Sequence, residues 1–519
     1  MKDSPSIPGT QQDRSGESRG RLLDAFLLGL AALVLRLPAY FAERGLTFDD
    51  GVFSLSAIAM RNGGVPFRDV FSSQGPLFLP LVWLGDLLGG RNLDSTRVLA
   101  VASGVTAVVV TYVVARRCSD RLGGILAGAL VATSGAFMWV TGPLAADGPA
   151  LAFAITTVWL SLRMRDRPGT LRAVLLGLST GAVLCTKSLE APVLVVVGLV
   201  LAAPVASAAR RGHVAWSALG RGALAVVCAV AVFAAVSVPF GLSEVWDQSV
   251  RYRTDAAADR DVPAAAGKLL STMWDRDLAL LFFAAVVLVC AVLSRAGSDS
   301  LRRLTSTGPS RNDESWWSAQ RWSGSGADWI PSDRLLVTAW LATTAVWLVV
   351  VVSPLWRPHV AAMSIPLALL IGLYRPPART TAAAAVLALP LVFVQLDGLL
   401  DPGEYTGTRE QLLVALSELP DGSLVLSDEP GVVWRSSNRT TDDLVDPSML
   451  RREQGRYDAA TLLEAAGEPG VCAFIRISEQ RFAHFAELPG QLEKIGYEAV
   501  PEVGDGSVLL VRPGCEAPG

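Results

Sequence analysis

The sequence predicts an α-helical polytopic membrane protein of about eleven spans that ends in a small α/β domain. Three observations carry this. Hydrophobic residues make up 51% of the chain and charged residues only 18%, with a mean hydropathy of +0.41, a balance that soluble domains seldom reach. The apolar residues fall in runs of about 18 to 22, the length that spans a bilayer. Beyond residue 400 the pattern changes to short apolar runs alternating with helix-like segments.

Residues 1–20, "MKDSPSIPGTQQDRSGESRG", are polar with a Ser/Gly/Pro bias, which predicts a disordered N-terminus. The apolar run that follows carries Arg36 and lacks a small-residue cleavage site, so it reads as an uncleaved signal anchor. Further runs fall at 95–115, 122–141, 148–164, 170–186, 189–208, 214–240, 277–294, 334–353, 359–374 and 380–397. The clusters Arg116/Arg117/Arg121, Arg163/Arg165/Arg167, Arg210/Arg211, Arg295/Arg302/Arg303 and Arg375/Arg379 all fall on one side if the runs alternate. That side is therefore expected to be cytoplasmic. The odd count then places the C-terminal domain outside a plasma (cytoplasmic) membrane, with the N-terminus inside.

The predicted membrane part covers 21–400, with outer loops at 43–94 and 241–276 and a Ser/Arg/Gly/Trp-rich cytoplasmic linker at 295–333. The predicted outer α/β domain covers 404–513, with "SLVLSD", "VCAFIRIS" and "SVLLVRP" as its strand candidates. Cys472 and Cys515 fall there, in an oxidising location where they could pair. Cys118, Cys185, Cys228 and Cys290 lie in or beside spans, where cysteine is an ordinary small apolar residue. A net charge of −3 implies no nucleic-acid partner.

The chemistry-bearing residues gather on the outer side. Asp49 and Asp50 follow the first run, and a Gly/Pro-broken apolar stretch, "VPFRDVFSSQGPLFLPLVWLGDLLG", comes after them. Irregular backbone at membrane depth survives only where it is buried or lines a wet cavity. Asp147 opens the fourth span, and Lys187 interrupts an apolar stretch together with Glu190. A lysine and a glutamate between spans are costly unless paired with each other or functional. Arg61, Arg68, Arg91, Arg251, Arg253, Arg260 and Arg276 break the charge rule on this side, either as harmless surface charge or as anion ligands. Carboxylates beside cations at an outer membrane surface suit displacement at a sugar C1 carried by a lipid phosphate. Cations take up the leaving phosphate's charge, and one carboxylate takes the acceptor's proton.

These residues resemble a family, the GT-C-fold glycosyltransferases of the protein O-mannosyltransferase/aminoarabinose-transferase type. The resemblance rests on "FDDGVF", on "GPLFLPL" in the first outer loop, and on Asp147 before the fourth span. It rests also on "LLGLSTGAVLCTKSLEAPV" and on "WRPHVAAMSIPLALLIG". It implies a polyprenyl-phosphate-sugar donor and inverting transfer of a hexosyl or pentosyl group to a cell-envelope glycan, lipid or protein on the extracytoplasmic face. Asp49 or Asp50 would be the general base, Lys187 would lie near the donor phosphate or sugar, and His359 near the acceptor or phosphate. The chain departs from some relatives in "SSQGPLF", where Gln74 and Gly75 stand in place of a lysine. The phosphate contact would then come from Arg68, Arg251 or Arg253, or be absent. Asp49, Asp50 and Asp147 could also hold a divalent metal ion, or act without one.

Two other classes compete. A secondary transporter would bury its charges near the midplane and show related halves, whereas these charges sit at one surface and the halves differ. A non-catalytic lipid-binding scaffold would not consume a polyprenyl-phosphate sugar.

Overall fold

The computed structural model describes residues 10–255, 261–304, 330–501, 504 and 506–517, and within these the side chains of all but 10–18 and 295–304. Residues 1–9 of the expected disordered N-terminus lie outside that set. From Thr10 the backbone is already helical, in a helix that runs to Tyr40. Most of the expected linker at 295–333 also lies outside, and its first residues continue the helix Leu278–Leu304.

Among the described residues six helices are long and apolar enough to cross a membrane, and seven if one bent pair forms a single span. The remaining expected spans are helical too. Arg121–Thr133, Thr170–Thr186 and Arg357–Leu373 are shorter apolar helices, and Asp147–Asp166 carries charges at both ends. The chain is a multi-pass membrane protein. The central helix Arg97–Cys118 packs on Thr10–Tyr40, Arg121–Thr133 and Asp147–Asp166. Thr170–Thr186 lies against Trp216–Ser237 because glycine lets the backbones meet: a Cβ on Gly177 would stand 2.2 Å from the Ala225 carbonyl oxygen. Val226, Val227 and Val230 on the outer face of Trp216–Ser237 are about 60% exposed, as lipid-facing residues must be.

The bent pair turns by 98° between Val262–Arg276 and Leu278–Ser294. Asp277 sits at the break, wholly buried, and accepts hydrogen bonds from Ser134 Oγ (2.7 Å), Ser364 Oγ (3.1 Å) and the Ala136 N–H (3.3 Å). Three polar partners make a buried carboxylate tolerable there.

The tail builds a four-stranded sheet from β1 (Leu424–Ser427), β2 (Val471–Arg476), β3 (Glu498–Ala499) and β4 (Val508–Val511), in the order β1-β2-β4-β3. β1 and β2 run parallel, as expected across the helix-bearing connection 430–467, and the other pairings are antiparallel. Cys472 on β2 forms a disulfide with Cys515, with their Cα atoms 5.5 Å apart.

The tail is seated directly on the loop that follows the first span. Gly51, in the helix Phe48–Arg61, approaches Gly431 so closely that a Cβ would fall 2.4 Å from the Gly431 nitrogen. Tyr405 Oη accepts the Gly45 N–H at 2.9 Å, and Trp434 Nε1 donates to the Leu93 carbonyl at 3.1 Å. Val52, Phe78, Val432, Val433 and Trp434 share one buried cluster across this boundary.

Candidate active site

The loop after the first span carries the helix Phe48–Arg61. Its N-cap is Thr47, whose hydroxyl accepts the Asp50 N–H at 3.2 Å, while Asp50 Oδ2 accepts the Leu46 N–H at 3.1 Å. The first bond is an N-cap, and the second ties the helix start to the residue before the cap. Asp49 and Asp50 therefore sit on the first turn of a helix, about 100° apart around its axis, and not on an extended segment.

The two carboxylates have different surroundings. Asp50 is fully buried and bound twice by Arg97, from Nη2 at 2.5 Å and Nε at 3.2 Å, and it also accepts the Leu144 N–H at 3.0 Å. Arg97 is equally buried. It donates to the carbonyls of Tyr40, Ala42 and Arg44 and stacks over Trp434 at 4.8 Å. Asp50 and Arg97 thus tie the end of the first span to the tail domain. As a candidate base Asp50 is fully engaged. Arg97 went unnoticed in the sequence, although an outer-side arginine opening a span was itself a signal.

Asp49 is half-buried, and among the described residues nothing hydrogen-bonds its carboxylate. It lies outside the candidate spans. Burial pushes its carboxyl up to about 6, with the charges of Asp147 and Asp446 adding to the rise and those of Lys187 and Arg253 opposing it. The same list of neighbours shows which predicted residues gather around it.

Lys187 is one of them. It follows the last turn of Thr170–Thr186, and its Nζ meets Asp147 Oδ2 at 2.7 Å, both side chains being buried. The lysine thus pairs with Asp147, and not with Glu190, the partner that sequence proximity offered as the alternative to a functional role. Glu190 stands nearby in the following 3-10 turn, buried, with its Oε1 lacking a hydrogen-bond partner among the described residues, and Asp147 Oδ1 is in the same condition.

The "SSQGPLF" loop is fastened beside Lys187 by backbone. The Gly75 N–H donates to the Thr186 carbonyl at 3.1 Å and the Leu77 N–H to the Cys185 carbonyl at 2.8 Å. They satisfy carbonyls that the end of the preceding helix leaves free. Any Cβ at position 75 would stand 2.2 Å from the Cys185 oxygen, so the departure noted at this position has a packing reason. Gln74 is buried next to this junction, and its amide reaches Ser73 Oγ at 3.3 Å. Pro80 does not break the segment, since it falls in the first turn of the helix Phe78–Leu88, where its missing N–H costs nothing.

Of the three arginines proposed for the phosphate, Arg253 joins the group. Its Nη2 donates to Ser73 Oγ at 3.1 Å and its Nε to the Ser73 carbonyl at 3.3 Å. Gln248, in the π-helical turn Asp247–Arg251, holds the same loop at two points, Ser72 N–H (3.0 Å) and the Phe67 carbonyl (2.6 Å). Arg68 is exposed and paired with Asp69 at 3.2 Å, and Arg251 is exposed between Asp247 and Asp255. Neither reaches the site. His359 is buried in the turn Arg357–Met363, its Nδ1 accepting the Trp356 N–H at 3.3 Å, within the electrostatic reach of Lys187 and Arg253.

Five separated stretches thus deliver Asp49, Asp147, Lys187, Arg253 and His359 to one place. Asp50 faces Arg97 and Asp147 faces Lys187, so the three carboxylates suggested for a metal do not form one ligand set. Among the described residues there is no group of three or more His, Cys, Asp or Glu that could hold a metal ion.

Solved structures share this architecture. ArnT from Cupriavidus metallidurans bound to undecaprenyl phosphate aligns with a TM-score of 0.56 at 13% identity, over 95% of this chain and 99% of that one. Its apo state gives 0.57 at 12% identity, over 96% and 98%. The apo oligosaccharyltransferase of Archaeoglobus fulgidus gives 0.54 at 11% identity, over 96% of this chain and 75% of that one. The chain is a GT-C-fold membrane protein. Within this GT-C chain, residues 73–235 match the family model of the dolichyl-phosphate-mannose-protein mannosyltransferases, as the sequence motifs led one to expect. That stretch runs from Ser73 through Asp147 and Lys187. No curated protein sequence matches the chain.

Proposed function

We propose that the protein transfers a sugar from a polyprenyl-phosphate donor to an acceptor on the extracytoplasmic face, with inversion at C1 and Asp49 as general base. One observation carries the reading. Of two adjacent aspartates, Asp50 is locked by Arg97, while Asp49 is left without a hydrogen bond among the described residues, facing Lys187 and Arg253. A general base should be poised near the working pH, and a carboxyl at about 6 is closer to that than an ordinary one.

The acceptor oxygen attacks C1 and gives its proton to Asp49. The C1–O bond to phosphate breaks, and its electron pair leaves on the phosphate oxygen. Arg253 and Lys187 receive that developing charge. Asp147 Oδ1 and Glu190 Oε1 are buried acceptors without partners among the described residues, suited to sugar hydroxyls. The lipid chain lies along Phe78–Leu88, where Trp83, Leu84, Leu87 and Leu88 are exposed by 40% to 72%. The family match and the shared fold with undecaprenyl-phosphate-bound ArnT support this class of donor.

The test is turnover by the purified chain in lipid nanodiscs, offered a panel of undecaprenyl-phosphate sugars and solubilised cell-envelope glycan. Release of undecaprenyl phosphate with transfer of the sugar supports the reading. Full turnover by Asp49→Asn would remove Asp49 from it.

A further inference from the structure

The tail domain reaches the site with one segment, 442–454, and that segment is held firmly. Phe71 of the first outer loop, Tyr252 and Leu450 form a buried cluster, with the two rings 5.4 Å apart. The Arg451 guanidinium lies 4.0 Å over Phe71 and donates to the carbonyls of Asp443 (2.6 Å) and Asp446 (3.1 Å). Gln454 Nε2 donates to the Tyr252 carbonyl at 2.7 Å, and Tyr252 Oη lies 3.4 Å from Ser448 Oγ. Tyr252 precedes Arg253, which grips Ser73.

Asp446 stands in this segment. It is only 7% exposed, and its Oδ1 accepts the Ser448 N–H at 3.0 Å. Arg451 binds its carbonyl and not its carboxylate, and among the described residues no group hydrogen-bonds Oδ2. This carboxylate has no paired cation among the described residues and stands where its charge acts on Asp49. Its free oxygen is a hydrogen-bond acceptor on the tail side of the site.

We propose that Asp446 is a positioning residue of this site, supplied by the tail domain, which holds a polyhydroxylated acceptor beside Asp49. The role rests on the glycosyltransferase reading above. One acceptor hydroxyl gives its proton to Asp49 while a neighbouring hydroxyl donates to Asp446 Oδ2, which orients the attacking oxygen. The charged groups facing Asp49 are Lys187 from the turn after Thr170–Thr186, Asp147 from Asp147–Asp166, Arg253 from the second outer loop and Asp446 from the tail. Asp50 on its own helix is neutralised by Arg97, and Arg481 lies over the adjacent Phe48 ring at 3.9 Å.

Asp446→Asn tests this on the full chain in nanodiscs, with undecaprenyl-phosphate sugars as donors and solubilised cell-envelope glycan as acceptor. Asparagine keeps an Oδ1 for the Ser448 N–H, so the loop stays closed. The acceptor KM should rise about 3- to 10-fold, the worth of one hydrogen bond, with donor KM unchanged. The acid limb of the pH–rate profile should move to lower pH, because one negative neighbour of Asp49 has gone. If Asp446→Asn does not fold, Asp446→Ser, whose hydroxyl can still accept from Ser448, carries the same two readouts. A folded variant with wild-type acceptor KM and an unmoved acid limb overturns the role. A wild-type chain that transfers none of the donors overturns the glycosyltransferase reading, and this role with it.

Discussion

Lys187 and Asp147, forty residues apart, form a buried ion pair with Nζ 2.7 Å from Oδ2, although the sequence offers Glu190 only three residues from the lysine. The backbone decides this. Lys187 is extended at the end of one helix, and Glu190 lies in the 3-10 turn that follows. Removing one partner of such a pair strands the other's charge away from water, which costs about 3–5 kcal/mol. Lys187→Met should therefore lose stability as well as donor affinity, and adding Asp147→Asn should restore much of the stability but none of the affinity. Thermal unfolding in detergent and donor binding to both variants check this. A Lys187→Met protein that melts normally would show that the pair contributes little.

Asp49 and Asp50 should separate by phenotype. Asp50→Asn leaves the buried Arg97 guanidinium with backbone carbonyls and only the more distant Asp94 carboxylate at 3.8 Å, so it should destabilise the chain by about 3–5 kcal/mol. Asp49→Asn strands no partner. Its melting temperature should rise near neutral pH, while turnover falls by about 10²–10⁴. Comparable activity losses in the two variants, with equal melting, would contradict the division.

The helical membrane architecture was legible because long apolar runs have few other uses. The three strand candidates of the tail correspond to β1, β2 and β4. The two-residue β3 was not legible, since nothing in Glu498–Ala499 separates it from a loop. At the site, Asp49, Asp147, Lys187 and Arg253 could be named because charge beside the spans of an apolar chain is costly, and His359 through the resemblance carried by "WRPHVAAMSIPLALLIG". Their partners could not be named. Asp50–Arg97 and Lys187–Asp147 join residues about forty to fifty positions apart, and only the packing of helices decides which charges meet. Asp446 was invisible for a related reason: within a soluble-looking domain an aspartate is unremarkable until docking shelters it.

The docking of the tail should depend on two glycines, unequally. A Cβ on Gly51 would lie 2.4 Å from the Gly431 nitrogen, a backbone atom that cannot yield, whereas a Cβ on Gly431 would first meet the Tyr405 hydroxyl at 3.0 Å. Gly51→Ala should therefore cost about 1–3 kcal/mol through overpacking, and Gly431→Ala clearly less. Differential scanning of the two variants gives the order. Because Gly51 shares a helix with Asp49, and Gly431 shares a domain with Asp446, Gly51→Ala should also raise acceptor KM. Equal melting of the two variants would mean that the domains separate without strain at this contact.

The pH dependence follows from Asp49 with a definite sign. Its carboxyl stands at about 6 in the folded chain against an ordinary 3.8, chiefly because burial disfavours the charged form. A base works only when ionised, so kcat/KM should fall as pH drops through about 6, well above where an ordinary aspartate would lose its charge. The folded state holds this proton more tightly than the unfolded state, so ionisation works against folding. That destabilisation is complete above about pH 6 and absent below about 3.8. Asp49→Asn removes it, and the variant should therefore melt above the wild type at pH 7 to 8, with the gap closing as the pH approaches 4. Both curves can be taken on the same nanodisc preparation, one by turnover and one by thermal unfolding. An acid limb near pH 4, with a melting gap that does not change between pH 8 and 4, would show that Asp49 titrates as an ordinary surface carboxylate and is not the poised base of this site.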